Sequence, residues 1–155
     1  FSVYGSYAGA IGQLQFMPSN VRKYAVTFDH NNPLDLSHNE ADIIASIANY
    51  YHHNAWRYHH PIATPAILTK NARDNIQNYL GKSGYTLKAL KENGITGQMQ
   101  FPLTTRASVI QLQSKSASEY WLGFHNFYVI TRYNPSDFYA MVVYQLASAI
   151  KKQHR

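Results

Sequence analysis

Residues 5–20 read GSYAGAIGQLQFMPSN. Gly5, Gly9 and Gly12, with the small Ser6, Ala8 and Ala10 between them, describe a closely packed backbone. Gln13 and Gln15 bracket Leu14 just before the apolar Phe16-Met17 and Pro18. A proline suits the first position of a helix, where its missing N–H costs nothing, so a helix of about two turns is expected through Val21 and Tyr24. Small residues and amides running into a helix start look like the lining of a site rather than the beginning of a chain. Phe1 is not an initiator methionine, and the expectation is a domain truncated at its N-terminus.

The 155 residues suit one domain with its own core. Thirteen tyrosines are an unusual number, and such rings give a cleft stacking faces with a polar handle, as sugar binding needs, or simply fill a core. The net charge of +6 favours anionic partners: nucleic acid, a membrane surface or acidic wall polymers. No run of Lys or Arg exceeds the pair seen at Lys151-Lys152 and no basic helix face stands out, so nucleic acid is not an expected partner. With no cysteine there is neither a disulfide frame nor a thiol nucleophile. The longest apolar stretch, Phe138 to Ile150, contains Gln145 and is too short to span a bilayer.

Further along, 27–39 is a polar loop, and Ser37 with Glu40 and Asn39 with Asp42 both have capping-box spacing. The helix that follows carries Ile43, Ile44, Ile47, Ala48 and Tyr51 on its expected apolar face. PIATPAIL (61–68) is broken by two prolines and reads as an edge strand or an extended segment. Residues 71–80 and 86–92 suggest short helices closed by Gly81 and Gly94. ASVIQLQ (107–113) and EYWLGFHNFYVI (119–130), separated by polar residues, predict a β-hairpin. Asn134-Pro135-Ser136-Asp137 predicts a helix capped by Asn134, running to about Lys152 and buried on several sides. The fold class is α+β: mainly helical, with a small antiparallel sheet.

GSYAGAIGQLQFMPSN, YAVTFD (24–29), ADIIASIANYY (41–51) and NFYVITRYNPSDFYAMVVYQLA (126–147), in that order, resemble the membrane-bound lytic transglycosylase B family of murein-degrading enzymes. The resemblance runs from about Gly5 to Ile150. It implies a lysozyme-like core, a place in the periplasm or cell envelope of a Gram-negative bacterium, peptidoglycan glycan strands as partner, and no required cofactor. The family reaction breaks the bond between N-acetylmuramic acid and N-acetylglucosamine without water, the muramyl 6-hydroxyl closing on C1. Ordinary glycosidases need two carboxylates. A tethered nucleophile lets one carboxyl act as acid and then base.

In the family that carboxyl is a Glu in a Gly-Val-Glu-Thr motif upstream of GSYAGA. Glu40, Glu92 and Glu119 are the three glutamates here, and none lies in such a motif. The expectation is therefore an inactive C-terminal portion of a catalytic domain, exposing apolar surface on the Tyr50 and Tyr133 side and pairing with itself or with its missing N-terminal half. Residue by residue, the resemblance implies that Ser6 and Asn134 support catalysis and that Gln15, Phe16, Met17, Tyr50, Tyr133 and Tyr139 contact sugar. Taken alone, Ser6 and Asn134 also read as helix caps, and Phe16 and Met17 as core.

Many family members carry a calcium loop after YAV. The corresponding positions here are Thr27, Asp29, Asn31 and Asp42, too few charges for a strong site. His52-His53 and His59-His60 fit no zinc spacing and read as solvated or stacking side chains. The competing reading of the chain is a non-catalytic module that binds peptidoglycan or a partner enzyme.

Overall fold

Pro18 opens a helix as expected: α1 runs Pro18–Tyr24, and Met17, in extended conformation, precedes it. The structure, a computed structural model, describes residues 6–7, 9–29, 33–81, 84–113 and 117–154. They fall into two compact units, Phe1–Trp56 and Arg57–Arg155.

In the first unit, helix α2 (Glu40–His53) is capped by Asn39, whose side-chain oxygen accepts from the N–H groups of Ala41 and Asp42. The Asn39 spacing is thus the one used. The buried face of α2 is not the one its isoleucines suggest. Ile44 and Ala48 are exposed, while Asp42, Ile43, Ser46 and Tyr50 are buried. The reason is a ladder of polar side chains. Asp42 Oδ1 accepts from Phe28 N–H at 2.8 Å. The Ser46 hydroxyl accepts from Val26 N–H at 3.1 Å and donates to Val26 C=O at 3.2 Å. Asn49 donates to Tyr24 C=O at 2.9 Å. These side chains recur three or four residues apart, on one stripe of the helix. They satisfy the main chain of 24–28, which has no strand partner to do so. Tyr24 stands edge-on to Tyr50 at 4.8 Å between centroids, and Phe16 lies 5.6 Å from Tyr50, forming the aromatic centre of this unit.

The second unit is built on a five-stranded antiparallel sheet in the order β2-β4-β5-β1-β3. The strands are β1 (Ala63–Leu68), β2 (Tyr85–Thr86), β3 (Ile95–Gly97), β4 (Arg106–Gln113) and β5 (Ser118–Gly123). Strand β1 is internal, not an edge. It tolerates Pro65 because its pairings are staggered: Ala63–Pro65 pair with β5, whereas Ala66–Leu68 pair with β3. Ala107 and Val109 of β4 pack with Leu90, Ile95 and Leu122 in the main core. On the other face, Ile110 approaches Gly123 and Phe127; a side chain at Gly123 would meet Ile110 Cδ1. Coverage on both faces explains why residues 107–110 are all buried and why alternation is absent.

Short helices punctuate this unit. Thr69 caps α3 (Lys70–Asp74), and a 3₁₀ turn, Ile76–Asn78, follows, so 71–80 is not one helix. Thr86 caps α4 (Leu87–Glu92), and Gly94 follows with φ +77°. The expected hairpin is present, with β4 paired to β5 from Ser108↔Gly123 to Gln113↔Ser118. Its second strand stops at Gly123, however, and His125–Tyr133 form helix α5. The aromatic and β-branched residues there suggested a strand, but Asn126, Phe127, Val129 and Ile130 are buried at helical spacing.

Helix α6 (Asp137–Gln153) differs from expectation in two ways. Its cap is Ser136, whose hydroxyl accepts from Tyr139 N–H at 3.2 Å, and not Asn134. Pro135 holds the preceding residue extended, so Asn134 sits at φ −140°, ψ 119° as the C-cap of α5. The helix is also not buried on several sides. Ala140 and Met141 are buried, while Phe138, Val142, Leu146 and Ile150 are 55, 60, 59 and 49% exposed. Those four lie on one i, i+4 line. Among the described residues no helix is long and apolar enough to cross a membrane.

Candidate functional site

On the first unit, the polar residues singled out in the sequence gather around two tight turns. Ser6 does not cap a helix. Its Oγ accepts from Ala10 N–H at 3.1 Å, and its own N–H donates to Ala10 C=O at 3.0 Å, closing a turn over 6–10. The second turn joins the bridged pair Ile11 and Phe16. Gly12 takes φ +69°, and a Cβ there would stand 2.5 Å from the Leu36 carbonyl oxygen. Gln13 docks the turn through its N–H on Leu36 C=O at 3.2 Å and its amide on Ser37 C=O at 2.9 Å.

Gln15 is the unusual member. It is not glycine, yet it takes φ +52°, and its side-chain N–H folds back on Gly12 C=O at 2.9 Å. Left-handed backbone at a non-glycine residue costs about 1–2 kcal/mol and collects at sites where a side chain must be aimed. Gln15 and Met17 are exposed. Phe16 is only 2% exposed, so its ring offers no face to a sugar; it supports Tyr50, which is itself buried. Phe16 is thus a core residue, because alternation along 14–17 points Leu14 and Phe16 inward. Tyr50 is itself 6% exposed, and four exposed apolar side chains lie along α6.

On the second unit, Tyr133 and Tyr139 stack almost parallel, 6.2 Å apart at 8° between planes. Burial pushes the Tyr139 hydroxyl above the usual tyrosine range. The exposed Asn134 begins the loop between them, its C=O accepting from Ser136 N–H at 2.7 Å. Its side-chain amide makes no hydrogen bond among the described residues. A paired ring surface beside a spare amide can take an apolar sugar face and an N-acetyl group together.

All eight side-chain carboxyls are described. Glu40, Glu92 and Glu119 are exposed, with Glu92 4.0 Å from Lys88 Nζ and Glu119 accepting from Trp121 Nε1 at 3.4 Å. Asp29 and Asp74 are also exposed. Main-chain N–H groups of Ser37 and His38 hold Asp35 below the ordinary carboxylate range. Asp137, at the start of α6, is exposed as well, but partial burial pushes its carboxyl up. Spacing in the sequence carried no sign of this, since the shift comes from its surroundings in the fold.

Asp42 has a different task from the one implied by the calcium loop. It is 1% exposed, and its two oxygens accept from Phe28 N–H at 2.8 Å and Asp35 N–H at 3.0 Å. The carboxylate itself ties the two ends of the polar loop. Asn31 lies outside the described residues. With Asp42 so engaged, Thr27 and Asp29 are the other described members of the implied calcium set. Among the described residues no three His, Asp or Glu side chains converge. Asp42→Ala should cost about 3–6 kcal/mol, the worth of two hydrogen bonds to a charged acceptor, read by urea unfolding. Melting curves in excess calcium and in chelator should coincide; a large rise with calcium would restore the metal to this loop.

Residues 1–148 match the family described as Transglycosylase SLT domain. The chain is 36% identical over 146 residues to membrane-bound lytic murein transglycosylase B of Escherichia coli K12, covering 94% of this chain and 39% of that protein. The E. coli lytic transglycosylase Slt35, solved in complex with bulgecin A, superposes with a TM-score of 0.86 at 35% identity, over 98% of this chain and 47% of that one. Slt35 has also been solved in complex with calcium. SltB3 of Pseudomonas aeruginosa, in complex with NAG-anhNAM-pentapeptide, gives a TM-score of 0.83 at 31% identity, over 96% and 40%. The chain therefore spans between two-fifths and half of these relatives' lengths, and within that span it shares their fold. From the order of its motifs to the course of its backbone, the chain belongs to the transglycosylase SLT domain family.

Proposed function

We propose that this chain binds peptidoglycan glycan strands, in the service of non-hydrolytic cleavage between N-acetylmuramic acid and N-acetylglucosamine to a 1,6-anhydromuramyl product. The observation that carries the reading is the spare Asn134 amide beside the parallel rings of Tyr133 and Tyr139. Its counterpart on the first unit is Gln15, held exposed in a strained conformation. In this reading Gln15 and Asn134 hydrogen-bond N-acetyl groups, Met17, Tyr133 and Tyr139 take apolar sugar faces, and Ser6 holds its turn in register. Phe16 and Tyr50 act from beneath. The relatives, which are murein enzymes, support the substrate class. They also support a place in the periplasm or envelope of a Gram-negative bacterium, where that polymer lies.

The test is titration of a peptide-free GlcNAc–MurNAc oligomer followed by NMR. Asn134→Ala should weaken binding on the order of tenfold, the worth of one well-placed hydrogen bond. A shift pattern that avoids both Asn134 and Gln15 would sink the assignment.

A second reading is a binding module without catalysis, favoured by the state of the carboxyls: no glutamate is buried. A related proposal concerns α6. The line of Phe138, Val142, Leu146 and Ile150 is an exposed apolar stripe that no described residue covers. Its occupant in our reading is a helix from the part of the family fold that this chain does not match, more than half the length of the E. coli relative. Light scattering of the 155-residue chain should then show association that rises with concentration and falls on Leu146→Glu. A strict monomer that binds no apolar dye would count against it.

A further inference from the structure

The second unit holds a cavity of about 520 Å³ that the glycan reading does not use. That size lies within the range of about 300–1,000 Å³ typical of ligand sites. Arg57, Arg106, His60 and His125 line it, together with Ser108 and Tyr128. No Asp or Glu is among its lining residues. Neither Arg57 nor Arg106 has a carboxylate partner among the described residues. Two guanidinium groups in one concavity, with no carboxylate among its lining residues, favour an anionic ligand, since arginine's fork is matched by a carboxylate or phosphate.

The wall is also held in place. Asn126, fully buried, accepts from Arg57 N–H at 2.9 Å and donates to the carbonyls of Arg57 at 2.7 Å and His60 at 3.2 Å. One side chain thus straps the turn from 57 to 60, in which His59 takes φ +58°. Opposite in the sequence, Arg106 Nη1 donates to Gly84 C=O at 2.6 Å. Gly84 has φ +86°, and a Cβ there would stand 3.2 Å from Arg106 Nη1. Gly84 N–H in turn donates to Ser108 Oγ at 3.3 Å. The main chain of Arg57 and the guanidinium of Arg106 are thus both fixed beside the same cavity. Helix α5 starts at His125 with no side-chain cap, which adds favourable potential for negative charge. Asp137, on α6, acts on Tyr128 and is the carboxylate that works against it.

We infer that this cavity binds the free carboxylates of a peptidoglycan peptide stem, through Arg57 and Arg106. The inference rests on the proposed function, because peptidoglycan is the polymer that brings such carboxylates to the chain. It would give the domain a grip on cross-linking peptide as well as sugar.

The test titrates the full chain with a sugar-free stem tetrapeptide, with the same peptide amidated at its carboxyls, and with inorganic phosphate, by calorimetry and NMR. The acid peptide should bind at the cavity residues, and Arg57→Gln and Arg106→Gln should each weaken it tenfold or more. Arg57→Gln leaves the strap intact, since Asn126 holds main-chain atoms; circular dichroism confirms folding, and the result for this variant decides if Arg106→Gln misfolds. The amidated peptide should bind at least tenfold more weakly than the acid. Equal binding by the parent and Arg57→Gln, equal binding of acid and amide, or binding of phosphate alone would overturn the inference. Titration with the peptide-free glycan is a separate readout: its failure overturns the glycan reading, while the peptide titration alone decides this one.

Discussion

Incubated with purified sacculi, the 155-residue chain should release no 1,6-anhydro product detectable by mass spectrometry. The reaction needs a carboxyl protonated near neutral pH, a condition met by burial against apolar surroundings. The three glutamates lie in water. Asp35 is held down by main-chain N–H groups, the wrong direction for an acid. Asp42 is buried, but its two oxygens take N–H groups and have no opening toward a leaving oxygen. Without acid–base assistance the rate falls by roughly 10²–10⁴. Asp137 is the one rival, because partial burial moves its carboxyl upward even though the residue is exposed. Product that vanishes in Asp137→Asn, or on replacing Glu40, Glu92 or Glu119, would mean that the acid is in this chain. A chimera that prefixes the unmatched part of the E. coli relative should regain activity, and in it Ser6→Ala and Asn134→Ala should lower the rate far more than the stability.

Local chemistry made much of this legible from sequence. Pro18, Asn39, Thr86 and Gly94 mark element ends through bonds their own side chains or φ angles make, and such signals act within a few residues. The β4–β5 hairpin followed from composition for the same reason. What stayed hidden depends on partners distant in sequence. Asp42 reads as a cap or a metal ligand until Phe28 and Asp35 are seen to donate to it. Helix α5 reads as a strand until Asn126 is seen strapping residues 57 to 60. Pro135 misled because a proline at a first helical turn and a proline between two helices are the same letter. The site divides likewise. The family motifs point to Gln15 and Asn134, but the burial of Phe16 and the arginine-lined cavity are properties of packing and have no motif.

The turn at 11–16 permits a sharper separation of fold from function. Gln15→Gly should leave stability within about 1 kcal/mol of the parent. Relief of left-handed strain, worth about 1–2 kcal/mol, is offset by glycine's unfolded-state entropy and by the lost bond to Gly12 C=O. Binding of the peptide-free glycan should nevertheless fall about tenfold or more, because the aimed amide is gone. Gly12→Ala should do the reverse in order of cause. It adds left-handed strain at φ +69° and places a methyl 2.5 Å from a main-chain oxygen that cannot rotate away. The turn must lift off Leu36 and Ser37, breaking the two bonds made by Gln13. The sum is about 3 kcal/mol or more, seen as a lower urea midpoint, with glycan binding lost along with the turn. If Gln15→Gly binds glycan as the parent does, Gln15 is a structural residue and the strain has another cause. If Gly12→Ala melts with the parent, the turn is free to move and cannot be what aims Gln15.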